Sequence, residues 1–351
     1  RTTKDVLGKM SLREKVGQLF IVRPEALAEN SNAETAPATD RVDDAVISRI
    51  EEYPVGGIAL FSRNITSAEQ LPMFISDLQS SSKYPLFIAV DEEGGRVARI
   101  ANSDFFNVAS YKSMEDIGKS GDASKAEEVG RQIGSYLKEL GFNLDFAPVA
   151  DTNTNPQNIV IGDRSYGSDP ALVARMVSAQ LDGMHDSGIM GTLKHFPGHG
   201  DTKDDTHSGY VSIEKTWDEL KECELVPFIT ALPKADMVMV SHITAVNVTS
   251  DKLPTSMSET MITGKLRNEL GYDGVIITDA MAMGAVADNY TSAEAAVTAV
   301  KAGVDIVLMP QNLDEAFNGV MNAVTDGEIS MERLDESVLR ILKMKAKYKL
   351  I

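Results

Sequence analysis

The stretch Pro85-Leu86-Phe87-Ile88-Ala89-Val90-Asp91 contains an unbroken apolar run that ends at a carboxylate. A second stretch, Val275-Ile276-Ile277-Thr278-Asp279, has the same form. Continuous apolar runs are typical of parallel strands covered on both faces, whereas a one-sided antiparallel sheet alternates apolar and polar residues. The two stretches therefore predict a parallel sheet buried between layers of helix.

Eight segments of this kind recur along the chain, with amphipathic stretches long enough for helices between them. They are Gln18–Val22, Gly56–Phe61, Pro85–Asp91, Asn143–Val149, Gly191–Phe196, Met237–His242, Gly274–Asp279 and Asp305–Met309. Two of the helices are expected at Glu127–Leu140, ending at a Gly141 cap, and at Ala171–Asp186, stopping before Gly188. Eight βα units in 351 residues predict an α/β fold, a (β/α)8 TIM barrel with residues 1–351 as a single catalytic domain.

Two segments are predicted to be loops of that barrel. Residues 24–44 are rich in Ala, Asn, Glu and Thr without apolar periodicity, which predicts a solvated insertion after the first strand. Residues 197–209 predict a mobile catalytic loop, because Gly198, Gly200 and Gly209 can adopt backbone angles closed to other residues.

Composition excludes several classes of protein. With 34 Lys and Arg against 52 Asp and Glu, the net charge of −18 argues against nucleic acid or an anionic membrane surface as the main partner. The single Cys223 excludes an intrachain disulfide scaffold, and no apolar run approaches the ~20 residues of a membrane span. The chain starts with Arg1 rather than Met, which is consistent with a removed leader and favours an exported or cell-wall-associated protein, although the compartment stays unknown.

Polar residues collect where the predicted strands end, which is where barrel enzymes place their catalytic groups. They include Asp91-Glu92-Glu93-Gly94-Gly95-Arg96, Asp145, Asp151, Lys194-His195, Ser241-His242 and Asp279. His195, His199 and His207 could be considered as zinc ligands. However, Pro197 and Gly198 disfavour a helical His-x-x-x-His pair, so no metal is predicted.

Four motifs in this order resemble those of one family. Asp91-Glu92-Glu93-Gly94-Gly95-Arg96-Val97 is similar to its third-strand motif, and Gly162-Asp163-Arg164-Ser165-Tyr166-Gly167 to its arginine loop. Lys194-His195-Phe196-Pro197-Gly198-His199-Gly200 with Asp205-Thr206-His207, and Ile277-Thr278-Asp279-Ala280-Met281, complete the set. The chain thus resembles the β-N-acetylglucosaminidase branch of glycoside hydrolase family 3. It departs from the usual motifs at Glu92, where Gln is common, and at Tyr166, where Phe is common.

The resemblance implies a role for each matched residue. Asp279 is expected to be the nucleophile and His207 the general acid/base, with Asp205 as its carboxylate partner. Asp91, Arg99, Arg164, Lys194 and His195 are expected to hold the N-acetylglucosamine unit. His242 and Asp151 are expected to support these groups, and no cofactor is implied.

From the residues alone, other roles stay open. Asp279 could cap a helix that starts at Ala280, and His207 could be a solvated loop histidine. Arg99 and Arg164 could form ion pairs with acidic neighbours. Trp217, in a helix-like stretch, is expected to pack in the core.

The expected activity is a retaining exo-β-N-acetylglucosaminidase, acting on peptidoglycan or muropeptide fragments as a monomer. One rival is a β-N-acetylglucosaminide phosphorylase on the same scaffold, because a histidine repels phosphate less than a second carboxylate does. A second is an aldolase-like barrel with Lys194 as a Schiff-base lysine. The third is a sugar-binding barrel without catalysis.

Overall fold

The protein was analysed as a computed structural model, which describes residues 2–28, 36–202 and 210–351. Within these ranges eight strands build two parallel sheets. They are β1 Phe20–Val22, β2 Gly57–Leu60, β3 Phe87–Val90, β4 Leu144–Asp145, β5 Thr192–Phe196, β6 Met237–Val240, β7 Val275–Thr278 and β8 Val307–Leu308. Each lies inside one of the eight predicted segments, so the predicted strand positions are confirmed.

The strands follow chain order across the two sheets. One sheet has the order β8-β1-β2-β3-β4 and the other the order β5-β6-β7. Single parallel bridges join the sheets on both sides, between Leu144 and Met190, between Val149 and Lys194, and between Ile277 and Ile306. The α/β class with parallel strands is thereby confirmed.

Two short pairs of strands lie outside these sheets. Glu92–Gly94 pairs antiparallel with Val97–Ala98, directly after β3. Val211–Ile213 pairs in parallel with Ile243–Ala245, which follows β6. Both pairs therefore extend the loops at the carboxyl ends of the parallel strands, where the site is expected.

Helices connect the strands in the described ranges. The α-helices are Thr3–Lys9, Leu12–Gln18, Asp44–Glu52, Gln70–Ser81, Met114–Lys119, Ala123–Leu140, Pro170–Asp186, Trp217–Glu222, Val226–Ala231, Gly284–Ala287, Ser292–Ala302, Leu313–Thr325 and Met331–Lys347, and Thr260–Glu269 is a π-helix. Short 3₁₀ turns lie at Pro24–Leu27, Ser62–Asn64, Gly162–Arg164, Leu232–Lys234 and Thr255–Met257. No helix among the described residues is long and apolar enough to cross a bilayer.

The predicted helix ends and the packing of the tryptophan are confirmed. Gly141 ends its helix in the left-handed conformation at φ 104°, which an L side chain adopts only with strain. The next long helix ends at Asp186, before Gly188. Trp217 begins a short helix and is buried.

The two long helices Ala123–Leu140 and Pro170–Asp186 pack closely because glycine faces backbone at their crossing. A Cβ at Gly130 would lie 2.1 Å from the carbonyl oxygen of Gln180, and one at Gly183 would lie 1.9 Å from that of Glu127. The apolar side chains of Val129, Ile133 and Leu137 on the first of these helices are buried in the hydrophobic core. The close crossing positions both helices against the strands that carry the site.

The prediction of a solvated insertion at 24–44 is wrong for its first part. Pro24–Leu27 is buried, and the Glu25 carboxylate is fully enclosed. Arg63 Nε lies 3.1 Å from Glu25 Oε1, and Asn64 Nδ2 donates to the same carboxylate at 3.2 Å. A buried carboxylate with these partners holds the segment against the protein. Residues 37–43 are exposed or half-buried, and residues 29–35 lie outside the described ranges.

At the other end of the sheets, Lys345 of the last helix is completely buried. Its Nζ donates to Gln18 Oε1 at 2.8 Å and to the carbonyl of Gly56 at 3.0 Å, and it lies 4.7 Å from the centre of the Phe87 ring. Burial lowers the pKa of Lys345 to about 7. Because its partners are neutral, the folded state disfavours the charged lysine.

We predict a matched pair of stability profiles from this lysine. An unfolded lysine has a pKa near ~10.4, so between pH 7 and that value the unfolded chain binds more protons and the stability of the wild type rises with pH. Lys345→Met removes this contribution to the pH dependence of stability. The free energy of unfolding of the wild type minus that of the variant should therefore rise by up to ~1.4 kcal/mol per pH unit in this window.

Denaturant unfolding from pH 6 to pH 10 measures this difference. Lys343 lies exposed on the same helix, so Lys343→Met is the control and should give no comparable trend. A pH-independent difference between wild type and Lys345→Met would contradict the prediction.

Candidate active site

The polar residues that follow the strands line one pocket of about 280 Å³. Six of the eight predicted site residues meet there: Asp91, Arg99, Arg164, Lys194, His195 and Asp279. The remaining two, Asp205 and His207, lie outside the described residues. The positions that the sequence places at separate strand ends thus converge on a single cavity.

A buried carboxylate, Glu93, organises one wall of the pocket. Arg164 binds it in a bidentate manner, with Nε to Oε1 and Nη2 to Oε2 both at 2.8 Å. Lys194 Nζ lies 2.6 Å from Glu93 Oε2 and 3.1 Å from Asp91 Oδ1. Arg164 thus forms the ion pair with an acidic neighbour that the sequence left open, and this pair is buried and lines the pocket.

The charged groups in this wall shift one another's pKa values towards the charged forms. Burial alone would raise the pKa of Glu93, but the charges of Arg164 and Lys194 outweigh burial and hold it well below its usual range. Burial alone would lower the pKa of Lys194, but Glu93 and Asp91 outweigh it and the pKa is raised. Lys194 is therefore a protonated ammonium, whereas a Schiff-base lysine must provide a free amine.

Arg99 lines the pocket beside Asp91. Its Nη2 lies 3.8 Å from Asp91 Oδ2, beyond hydrogen-bond distance, and its guanidinium lies 5.5 Å from the centre of the Phe61 ring. Its Nε is buried without a hydrogen-bond partner among the described residues. Because the contact with Asp91 is too long for a hydrogen bond, the guanidinium can bind a polar ligand in the pocket.

His195 is held by the fully buried Asp151. Asp151 Oδ2 lies 2.8 Å from His195 Nδ1, and its Oδ1 accepts from the backbone N–H groups of His195 at 3.2 Å and His199 at 2.7 Å. With Nδ1 bonded to the carboxylate, Nε2 remains to contact a ligand in the pocket. Asp151 thus supports His195, as the sequence suggested.

The first part of the predicted mobile loop is tightly packed. Asn158 Nδ2 donates to the carbonyl of His199 at 2.7 Å, and Thr202 Oγ1 lies 2.8 Å from His199 Nδ1. A Cβ at Gly200 would lie 1.9 Å from the carbonyl oxygen of Thr152. Residues 197–200 are buried, so Gly200 serves close packing there rather than the predicted hinge. Residues 203–209 lie outside the described part.

The histidines do not form a metal site in the described residues. His199 lies beside His195, with ring centres 6.0 Å apart. The pKa of His199 is lowered mainly by burial and also by the nearby His195. No group of three or more His, Cys, Asp or Glu side chains within 2–28, 36–202 and 210–351 is arranged to hold a metal ion. His207 is not part of that set.

Asp279 follows β7 and lines the pocket next to Ala280. Its Oδ1 accepts from the N–H of Ala280 at 2.8 Å, and the following helix begins only at Gly284 with Met283 in the capping position. The alternative of a helix cap at Asp279 is therefore wrong. Burial alone would raise the pKa of Asp279, but His195 and His242 outweigh it and the pKa is lowered. The carboxylate is thus ionised at neutral pH.

His242 holds the backbone beside Asp279. Its Nε2 lies 2.8 Å from the carbonyl oxygen of Ala280, and its Nδ1 lies 2.7 Å from Ser256 Oγ. Nε2 can donate to this carbonyl, and the serine hydroxyl can donate to Nδ1 or accept from it. His242 therefore supports Asp279 through the turn, as expected for a neighbouring position.

Several pocket residues were not singled out from the sequence as site residues. They are Arg23, Phe61, Glu93, His199, Met239, Met283 and Met309. Arg23, Phe61 and Met309 each stand next to the end of a strand, as Asp91 and Asp279 do. The strand-end rule could have found them, but Glu93 was visible only as part of a motif.

Comparisons with known proteins agree with this arrangement. The model of the Glycosyl hydrolase family 3 N terminal domain matches residues 11–344. The chain is 36% identical over 329 residues to Beta-hexosaminidase A of Pseudoalteromonas piscicida, which covers 85% of this chain and 54% of that protein. It is thus similar to a protein of which it spans about half the length.

Solved structures are also similar to this chain in fold and sequence. A glycoside hydrolase family 3 beta-N-acetylglucosaminidase from Paenibacillus sp. str. FPU-7 superposes with a TM-score of 0.90 at 38% identity, covering 97% of this chain and 63% of that one. A structure named beta-glucoside phosphorylase BglX superposes with a TM-score of 0.86 at 27% identity, covering 99% and 61%. The family model matches nearly the whole chain, and the residues that follow the parallel strands of this chain converge on one pocket. The chain therefore belongs to glycosyl hydrolase family 3.

Proposed function

We propose that this chain is a retaining exo-β-N-acetylglucosaminidase that releases terminal β-linked N-acetylglucosamine through a covalent glycosyl-enzyme intermediate. The observation that carries the proposal is the ionised Asp279, which lines the same pocket as fixed sugar-binding groups. A carboxylate in that state can attack an anomeric carbon directly. The beta-hexosaminidase and beta-N-acetylglucosaminidase relatives support the sugar.

The wall formed by Asp91, Arg164 and Lys194 suits the hydroxyl groups of one sugar ring. Asp91 can accept from sugar hydroxyl groups, and Lys194 and Arg164 can donate charge-assisted hydrogen bonds. Arg99 adds a guanidinium to the same pocket, and His195 offers Nε2. A pocket of about 280 Å³ is near the lower limit for ligand sites, which favours a single terminal unit and hence exo action.

His207 is proposed as the general acid/base and Asp205 as its partner, on the strength of the family motif. His207 would protonate the departing oxygen and later take a proton from water, while Asp205 would stabilise the charged imidazole. An Asp-His pair departs from the two-carboxylate scheme of most retaining glycosidases.

The proposal has three further parts. The bridges between the two sheets support one closed (β/α)8 barrel that forms a single domain. The natural substrates are peptidoglycan or muropeptide fragments that carry N-acetylglucosamine at the non-reducing end. The protein acts as a monomer without a cofactor.

Phosphorolysis is a second candidate, because a solved structure named as a beta-glucoside phosphorylase shares the fold at 27% identity. In that reaction phosphate replaces water in the second step and N-acetylglucosamine 1-phosphate is formed. Product analysis with and without phosphate distinguishes the two reactions. We expect free N-acetylglucosamine under both conditions, and sugar 1-phosphate as the main product would reject hydrolysis.

The nucleophile is tested by replacing Asp279 with Ala. We expect hydrolysis of a chromogenic N-acetyl-β-glucosaminide to fall by at least ~10³-fold, because no covalent intermediate can form. Azide can then enter the space left by the carboxylate and displace the leaving group directly at the anomeric carbon, so any glycosyl azide should have inverted configuration.

His207→Ala is the matched variant for the second role. It should lose most activity on substrates with poor leaving groups and little on activated ones, and azide should give a glycosyl azide of retained configuration. Wild-type activity in both variants would reject the site assignment.

Glu93 is predicted to position the sugar-binding cations. In Glu93→Gln the paired charges of Arg164 and Lys194 lose their buried partner, so we expect a loss of ~3–5 kcal/mol of stability and a raised KM in the folded fraction. Glu25→Gln is the control, since Glu25 is equally buried beside Arg63 but outside the pocket. It should lower stability without raising KM, and equal KM values for both variants would contradict the prediction.

A further inference from the structure

Two described segments flank the stretch that carries the proposed acid/base. They are the entry, residues 198–202, and the exit, the strand Val211–Ile213. The entry is held by the loop after β4, because Thr154 Oγ1 donates to Asp201 Oδ1 at 2.8 Å. The exit is held by the loop after β6, because its strand pairs with Ile243–Ala245. Since the two anchors lie in different loops, a contact between entry and exit would fix their separation.

Lys215 makes a contact of this kind. It lies two positions after the exit strand, and its Nζ lies 3.4 Å from Asp201 Oδ2 at the entry. The same Nζ contacts Glu224 Oε1, between the helices Trp217–Glu222 and Val226–Ala231. An ammonium group has three donors, so it can hold two carboxylates at once. Lys215 thereby ties the entry to the exit, and both of them to the following pair of helices.

The burial of Glu224 distinguishes this arrangement from an ordinary surface ion pair. Glu224 is 1% exposed, and its Oε2 has no hydrogen-bond partner among the described residues. It also packs against the entry, because a Cβ at Gly198 would lie 2.9 Å from the Cβ of Glu224. Surface ion pairs contribute little to stability, whereas a buried carboxylate that loses its cation is strongly unfavourable. Glu224 therefore holds the ammonium of Lys215 beside the entry.

Lys215 stays charged because of its two carboxylate partners. Burial alone would lower its pKa, but Glu224 and then Asp201 outweigh burial, and the pKa is raised. The bridge at neutral pH is therefore made by an ammonium group.

We propose that Lys215 is a positioning residue for the acid/base, and that Asp201, Lys215 and Glu224 form a clasp between the two ends of the segment that carries His207. Asp201 lies six positions before His207, and Lys215 lies eight positions after it. A general acid must reach the departing oxygen within hydrogen-bond distance, and a displacement of about 1 Å can cost roughly 100-fold in rate. This inference rests on the proposed function, because it takes His207 as the group that protonates the leaving group.

The test compares two substrates that differ only in the leaving group. Methyl N-acetyl-β-glucosaminide has a poor leaving group that must be protonated, whereas the leaving group of 2,4-dinitrophenyl N-acetyl-β-glucosaminide departs unaided. We expect Lys215→Met to lower kcat/KM for the methyl glycoside at least about tenfold more than for the dinitrophenyl glycoside. A mere loss of folded protein would lower both values by the same factor.

Asp201→Asn is a milder variant of the same clasp. The asparagine keeps the oxygen that accepts from Thr154 but removes the charge that faces Lys215, and the pair of Lys215 with buried Glu224 stays intact. It should shift the ratio of the two kcat/KM values in the same direction, and it replaces Lys215→Met if that variant does not fold. Lys215→Arg keeps a cation that can bind two carboxylates, so its ratio should stay near that of the wild type.

Lys234→Met is the matched control. Lys234 Nζ lies 2.8 Å from Asp182 Oδ2, and this ion pair joins the turn before β6 to the helix Pro170–Asp186 rather than the entry to the exit. The control variant loses a lysine with a carboxylate partner, as Lys215→Met does, and should leave the ratio unchanged.

His207→Ala, measured with the same two substrates, separates this inference from the function beneath it. If His207→Ala shifts the ratio and the clasp variants do not, the inference is rejected while the acid/base assignment stands. A shift in Lys215→Met without one in Asp201→Asn would reject the link through Asp201, and with it the clasp. If His207→Ala leaves the ratio unchanged, the acid/base assignment and the inference both fall.

Discussion

The pocket depends on one buried charge cluster, the carboxylate of Glu93 between Arg164 and Lys194. Glu93 is 1% exposed and Lys194 is 2% exposed, so neither charge has water to stabilise it. Each is tolerable only because the others lie at 2.6 to 2.8 Å. The cluster joins the hairpin after β3, the arginine turn after β4 and the end of β5. It therefore fixes the relative positions of three loops and orients two cations towards the pocket before any ligand arrives, which is how a binding site avoids reorganisation.

Buried polar residues also hold other parts of the pocket at the carboxyl ends of the strands. Asp151 holds His195 and the backbone of His199, and His242 holds the turn at Ala280. Asp151 and His242 are buried, and each contacts a residue that lines the pocket. Glycine permits this density, since a side chain at Gly200 would overlap the carbonyl of Thr152. The rigidity of the site thus arises from polar contacts between loops, and the apolar sheet below supplies only their anchor points.

The sequence predicted the fold well because its signals were local. Apolar runs ending in polar residues located the eight strands of the two parallel sheets, and Gly141 located a helix end through the conformation that it adopts. Six site residues followed from strand ends and motifs. The failures were non-local. The burial of Glu25 depends on Arg63 and Asn64, which lie 38 and 39 positions away, and the pairing of Glu93 with Arg164 spans 71 positions. No periodicity in the sequence encodes such partners.

The electrostatics of the pocket differ from those of the chain as a whole. Four described cations, Arg23, Arg99, Arg164 and Lys194, line the pocket with three carboxylates, whereas the whole chain carries a net charge of −18. However, Lys194 and Arg164 are bound to Glu93 and Asp91. In the second step of the proposed mechanism Asp279 is esterified to the sugar and carries no charge, so its carboxylate does not repel an incoming phosphate dianion. The choice between water and phosphate therefore depends on the charges at the opposite face of the anomeric carbon, where His207 is proposed to act.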